Sequence, residues 1–378
     1  MKKKKLLFIF AMTIITVLVF MGCAGGNDSN LGGNKIESED SISGDAVVSA
    51  DETASEDKVI STDELSQESD SNSQTSVIAA PEVVFIPWEE AGLEDHVMDW
   101  QDEKLEAAMR EITGIMEADI MLSDVWEITD LELAREDIQI INALGELTNL
   151  QQLDLWDNDI SNIDALGKLG NLRVLNLSSN QISDISALKE LTNLQQLDLG
   201  FNDISNIDAL GGLTELCRLN VEMNQIEDIG VLGGLTGMQS LSLGNNHITD
   251  ISALQGLREL IYLDLGYNEI SDIYSLCELT ELEYLDLAWN FIDDIEALRS
   301  MTKLQTLNLL FNYVNDVSAL SDLTSLECLN ITHNLINDFS PLSGLCNLQV
   351  IYPYGNNCVD GRPISFVPEN RTSVLGGI

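Results

Sequence analysis

Histidine and cysteine are the side chains best suited to nucleophilic or metal chemistry near neutral pH, and this chain has few of either. Its three histidines, His96, His247 and His333, are far apart, and its six cysteines (Cys23, Cys217, Cys277, Cys328, Cys346, Cys358) keep no regular spacing. That is neither a disulfide framework nor paired metal-ligand spacing. No acid–histidine–nucleophile set and no glycine-rich phosphate loop ahead of a helix is visible. The sequence therefore predicts no catalytic residue, no metal site and no cofactor, and reads as a binding protein rather than an enzyme. A different chemistry is offered further along, where large side chains alternate with carboxylates: Tyr262, Asp264, Tyr267, Tyr284, Asp286, Trp289, Leu310 and Phe311, with Trp156 and Phe201 upstream. Rigid aromatics ringed by polar groups are the composition of a protein-binding hot spot.

Charge narrows the partner. Across 378 residues there are 63 acids and 18 lysines and arginines, a formal net charge of −45. Such a field excludes nucleic acid, or an anionic lipid surface, bound through a basic face.

The elements that must position the rings follow from a fixed period. An asparagine recurs every 22 residues without a gap: Asn158, Asn180, Asn202, Asn224, Asn246, Asn268, Asn290, Asn312, Asn334 and Asn356. Around it recurs Leu150-x-x-Leu153-x-Leu155-x-x-Asn158-x-Ile160-x-x-Ile163-x-x-Leu166-x-x-Leu169. A period of this length marks a solenoid, and this frame resembles the leucine-rich repeat. Leu-x-Leu is the period-2 signature of a strand, and the later spacing of three suits a tight 3₁₀-like return. The asparagine amide is placed to satisfy buried backbone groups, each of which costs about 1–3 kcal/mol when orphaned. Asn162, Asp184 and their equivalents through Asp338 are placed to cap the return. The expected fold is thus an α/β leucine-rich repeat solenoid with a curved parallel sheet, 22-residue coils, a 3₁₀-like convex side and a short helical N-terminal cap. In the cap, Asp102–Ile112 reads as a helix with Leu105, Ala108, Met109 and Ile112 on its apolar face.

Because leucines already fill the core slots, the rings fall on the concave side. Residues 147–167 and 191–211 are identical except for Trp156 against Gly200 and Asp157 against Phe201, both at predicted concave positions. Scaffold is held while the face varies.

The remaining segments set the location. Lys2 to Lys5, then apolar Leu6 to Met21, then small residues, form a secretory signal over 1–26. An apolar stretch of this length is shorter than the roughly 20 residues that a membrane-crossing helix needs. Cys23 resembles the acylated cysteine of bacterial lipoproteins, although Phe20 and Met21 depart from the usual residues before it. Residues 27–80 form an acidic, serine-rich linker expected to stay disordered. Residues 83–127 read as the helical cap, 128–356 as the repeats and 357–378 as the C-terminal cap and tail. The expected location is the outer face of a bacterial cell membrane, held by an N-terminal lipid anchor.

The frame LTNLQQLDLWDNDISNIDALG (147–167) is similar to that of internalin-type bacterial leucine-rich repeat proteins, over about residues 100–356. The resemblance implies a cell-surface module that binds a protein partner across its concave face. It does not carry invasion activity over, because no sortase-type anchor, immunoglobulin-like segment or wall-binding module follows the repeats. The alternative expectation is a glycan-binding or envelope-scaffold lipoprotein, with the same aromatics stacking on sugar rings.

Overall fold

The computed structural model describes residues 85–357. The expected leader 1–26 with Cys23, the linker 27–80 and the tail beyond residue 357 lie outside the described residues.

Each period makes one coil. Eleven three-residue strands form a single sheet in chain order: β1 (Asp130–Glu132), β2 (Gln152–Asp154), β3 (Val174–Asn176), β4 (Gln196–Asp198), β5 (Arg218–Asn220), β6 (Ser240–Ser242), β7 (Tyr262–Asp264), β8 (Tyr284–Asp286), β9 (Thr306–Asn308), β10 (Cys328–Asn330) and β11 (Val350–Tyr352). Every pair is parallel and the register advances by one period, so Leu263 lies between Leu241 and Leu285. Chemistry at one repeat position is therefore stacked into a row along the sheet. Each central leucine points inward because strand side chains alternate, and Leu263, Leu265, Leu285 and Leu287 are fully buried.

Among the described residues the chain returns through ten 3₁₀ turns, from Asn142–Glu146 to Ser340–Gly344. Spacing of three puts Ile163, Leu166 and Leu169 on one side of so tight a helix, and all are buried. In nine coils the Asx side chain two residues before the turn accepts the backbone N–H that opens it, at 2.7–2.8 Å. Among the described residues, true α-helix is confined to the N-terminal cap: α1 (Trp88–Ala91), α2 (Glu103–Thr113) and α3 (Leu122–Val125). None of the described helices is long and apolar enough to cross a membrane.

The asparagine row ties coil to coil. Asn268 Nδ2 donates to the carbonyls of Leu243, Leu265 and Gly266 at 3.0–3.2 Å, and its Oδ1 accepts from Ile248 N–H at 3.0 Å. Leu243 and Ile248 belong to the preceding coil, so one amide stitches two turns of the solenoid. The same pattern runs from Asn158 to Asn356.

Asp102 fastens the cap. Its Oδ1 caps α2 through the N–H groups of Lys104 and Leu105, while its Oδ2 accepts from Gln139 and Ile140 of the first coil. Leu105, Ala108 and Met109 are buried as their helical spacing predicts, but Ile112 is exposed. Thr113 and the left-handed Gly114 end the helix there, so its last turn projects beyond the packed surface.

Candidate functional site

On the outward face of the sheet two aromatic rows flank a row of carboxylates. The first row stands on the leading strand position: Tyr262 of β7 stacks on Tyr284 of β8 with centroids 4.5 Å apart and planes 6° apart. The second occupies the residue before each asparagine. There Tyr267 stacks on Trp289 at 5.5 Å, Trp289 on Phe311 at 4.0 Å and Phe311 on His333 at 4.2 Å. The parallel one-period register puts these rings next to each other.

That second row is conformationally costly. From Asp157 to His333 the residue before the asparagine has φ between 53° and 57°. The left-handed region disfavours any residue with a Cβ by roughly 1–2 kcal/mol and is a marked departure for bulky ones. Glycine takes this position at Gly355 and asparagine at Asn245, the usual solutions. Tyr267, Trp289, Phe311 and His333 take it with rings. Stacking returns about 0.5–1.5 kcal/mol per pair, part of what the backbone conformation costs. The ring faces cover one another, and the edges remain at the surface: Phe311 is 37% exposed, while Tyr267 and Trp289 are half-buried.

Between the rows, Asp264 and Asp286 are register partners on neighbouring strands. Asp286 is 6% exposed; its Oδ1 accepts Ala288 N–H and its Oδ2 accepts Asn308 Nδ2–H, each at 2.8 Å. Asp264 accepts Gly266 N–H at 2.8 Å. Small residues make this burial feasible, since a Cβ on Gly266 would sit 3.1 Å from Asp286 Oδ1 and 3.2 Å from Asp264 Oδ1. Burial, then the Asp286 charge, holds Asp264 well above the usual carboxylate range; burial pushes Asp286 up to about 6 against its three hydrogen bonds. Glu222, one strand beyond Ser242, is pushed up to about 7 by burial and by the Asp198 charge. Burial and the neighbouring carboxylates also raise the Tyr262 and Tyr284 hydroxyls.

Family models for leucine-rich repeats match residues 148–190, 170–212, 214–256 and 239–292. Among solved structures, an internalin (InlF) of Listeria monocytogenes matches at 29% identity over 74% of this chain and 96% of its own, with a TM-score of 0.59. The chain is a leucine-rich repeat protein of the internalin type. A leucine-rich repeat protein of Leptospira interrogans matches at 25% identity over 62% of each chain, TM-score 0.59. A TDR receptor, at 22% identity over 62% of this chain and 48% of its own, shares the fold with a TM-score of 0.57. Among curated proteins no sequence matches. Leucine-rich repeat proteins are generally binding modules, and internalin-like ones are typically surface or secreted.

In this internalin-type sheet eight of the ten residues singled out by sequence gather into one region across β7 to β9: Tyr262, Asp264, Tyr267, Tyr284, Asp286, Trp289, Leu310 and Phe311. Trp156 and Phe201 do not join them. Trp156 lies seven strands from Leu310 along its own row, with the guanidinium of Arg135 4.1 Å over its ring. Phe201 is separated from Tyr267 by Met223 and Asn245 in the same row. The structure adds residues that the sequence reading passed over. His333 extends the second row, and a third row follows the asparagines: Phe291 (51% exposed), Tyr313 (49%) and Leu335 (42%), the first two stacked at 6.3 Å. Their signal is the same 22-residue step, one place after the asparagine rather than one before it.

Proposed function

We propose that this chain is a cell-surface protein-binding module whose partner docks on the outward sheet face across β7 to β10. One observation carries the reading: four rings, Tyr267, Trp289, Phe311 and His333, are held side by side in left-handed backbone that each would otherwise avoid. Stacking recovers part of that cost, and what the arrangement leaves outward is a continuous strip of ring edges beside Phe291, Tyr313 and Leu335. Amphipathic rings with little conformational freedom left to lose are effective protein-binding anchors.

The stack also favours protein over glycan. Sugar rings pack on open aromatic faces, and here the faces are spent on one another at centroid separations of 4.0–5.5 Å. Export through residues 1–26 and acylation of Cys23 belong to the same proposal, and mass analysis of the mature N-terminus tests them. The docking test is a pull-down with the full-length chain in detergent, beside a variant with Tyr262, Tyr284, Trp289 and Phe311 all changed to alanine. Animal-cell membrane extract and bacterial envelope extract are offered to both. A protein retained by the native chain and lost from the variant supports the site. Equal retention by both removes it, and retention on isolated wall polymer alone restores the glycan reading.

A further inference from the structure

We propose that the strip between the two aromatic rows receives a lysine or arginine side chain of the partner, with apolar residues beside that cation resting on the ring edges. The proposal rests on the docking face described above and assigns the chemistry of its occupant.

Among the described residues no lysine or arginine acts on Asp264, Asp286 or Glu222, although Arg218 stands exposed at the leading position of β5, two strands from Tyr262. Around Asp264 and Asp286 stand Tyr262, Tyr284, Ser242 and Asn308, and beyond them Glu222, Asn220 and Asp198. From β6 to residue 357 the lysines and arginines are Arg258, Arg299 and Lys303. All three sit away from the strands, and each is already paired, with Glu278, Glu296 and Glu281 respectively. Like charges placed directly opposite on neighbouring strands are unfavourable, and burial adds to the penalty. A carboxylate pair left uncompensated at the centre of an aromatic surface is a poor way to build a stable sheet. It is a suitable way to build a receptor for a positive charge.

Charge complementarity selects among occupants. A second copy of this chain brings another −45 of formal charge against the face and is repelled. An acidic or neutral segment leaves the pair uncompensated and more deeply buried. A basic, apolar-flanked segment satisfies both features at once: its cation neutralises the carboxylates, and its apolar neighbours cover Phe311, Phe291 and Tyr313. Binding then requires the carboxylates ionised, so affinity rises from acidic to mildly alkaline pH as Asp286, Asp264 and Glu222 lose their protons.

The test uses the full-length chain and a displayed library of random short peptides, selected at pH 7.5 against the native protein, Asp264→Asn/Asp286→Asn, and Trp289→Ala. The isosteric asparagines keep shape and remove charge; circular dichroism checks that each variant is folded. The expected result is enrichment of peptides with Lys or Arg between apolar residues, dependent on both the carboxylates and Trp289. The affinity of a selected peptide should fall about tenfold or more on changing its cation to Gln, and by a similar factor from pH 7.5 to pH 5. Trp289-dependent enrichment of neutral or acidic peptides, or basic peptides indifferent to the asparagine variant, overturns the cation assignment and leaves the docking face standing. No Trp289-dependent enrichment overturns both.

Discussion

Removing one asparagine from the middle of the ladder tests the physical account of the whole solenoid. Asn290→Ala deletes four hydrogen bonds: Nδ2–H to the carbonyls of Leu265, Leu287 and Ala288, and Oδ1 from Ile270 N–H at 2.9 Å. The acceptors are insured. Leu265 O keeps Asn268 Nδ2–H, Leu287 O keeps Asn312 Nδ2–H, and Ala288 O keeps Tyr267 N–H. Ile270 N–H has no such reserve and lies in a residue of zero exposure. One orphaned buried donor costs about 1–3 kcal/mol, and thinning three shared acceptors adds roughly 0.5 kcal/mol each, for a total of about 2.5–4.5 kcal/mol. At the end of the ladder Asn356 is only partly buried beside exposed Asn357, so water replaces much of what Asn356→Ala removes, and about half that loss is expected. Equilibrium urea unfolding of both variants measures the difference. Hydrogen exchange at the Ile270 amide should speed up more than at its neighbours, because stability in a repeat array is set by nearest-neighbour interfaces. A loss below about 1 kcal/mol for Asn290→Ala, or equal losses for the two variants, would refute the shared-acceptor argument.

Two further outcomes follow from named groups. Asp102→Ala removes both the α2 cap and the tie to Gln139 and Ile140, and should cost about 2–3 kcal/mol in a urea titration. Burial alone would raise the Asp102 pKa, but its four backbone donors outweigh this and lower it, so its contribution is present above about pH 4 and fades as pH falls through the depressed value. The strip carboxylates have the opposite sign. Their folded pKa values are raised, so their contribution is whole below the ordinary carboxylate range and is lost as pH rises through about 6 for Asp286 and about 7 for Glu222. Thermal melting across pH 5 to 8 should show native stability falling as these groups ionise. Asp264→Asn should flatten that fall and raise the melting temperature at pH 8, and an unchanged profile would count against a buried, uncompensated pair.

Most of the scaffold was legible because the repeat states its own rules ten times over. Asn158 to Asn356 gave the period, Leu-x-Leu the strands, and Asn162 to Asp338 the capped turns; each is a local pattern whose physical role does not depend on distant chain. Ile112 was misplaced because helical spacing says which residues share a face but not how far the packed surface extends beneath it. The site was partly legible for a related reason. Residue identity at fixed repeat positions brought out Tyr262, Trp289 and Phe311, but period alone cannot say whether a ring offers its face or its edge.

That distinction decides the chemistry. Rings 22 residues apart on parallel strands are brought next to each other by the strand spacing of about 4.8 Å, close to the distance at which aromatic planes stack. A single ring at the position before the asparagine would show a face; Tyr267, Trp289, Phe311 and His333 in succession hide their faces on one another. Succession also explains why the left-handed backbone is tolerated, since each ring is supported by the next. Truncating Trp289 at the centre therefore removes two stacking contacts, with Tyr267 and with Phe311, whereas truncating Tyr267 at the end removes one. The surface acts as a unit because the repeat that builds the core also spaces the rings.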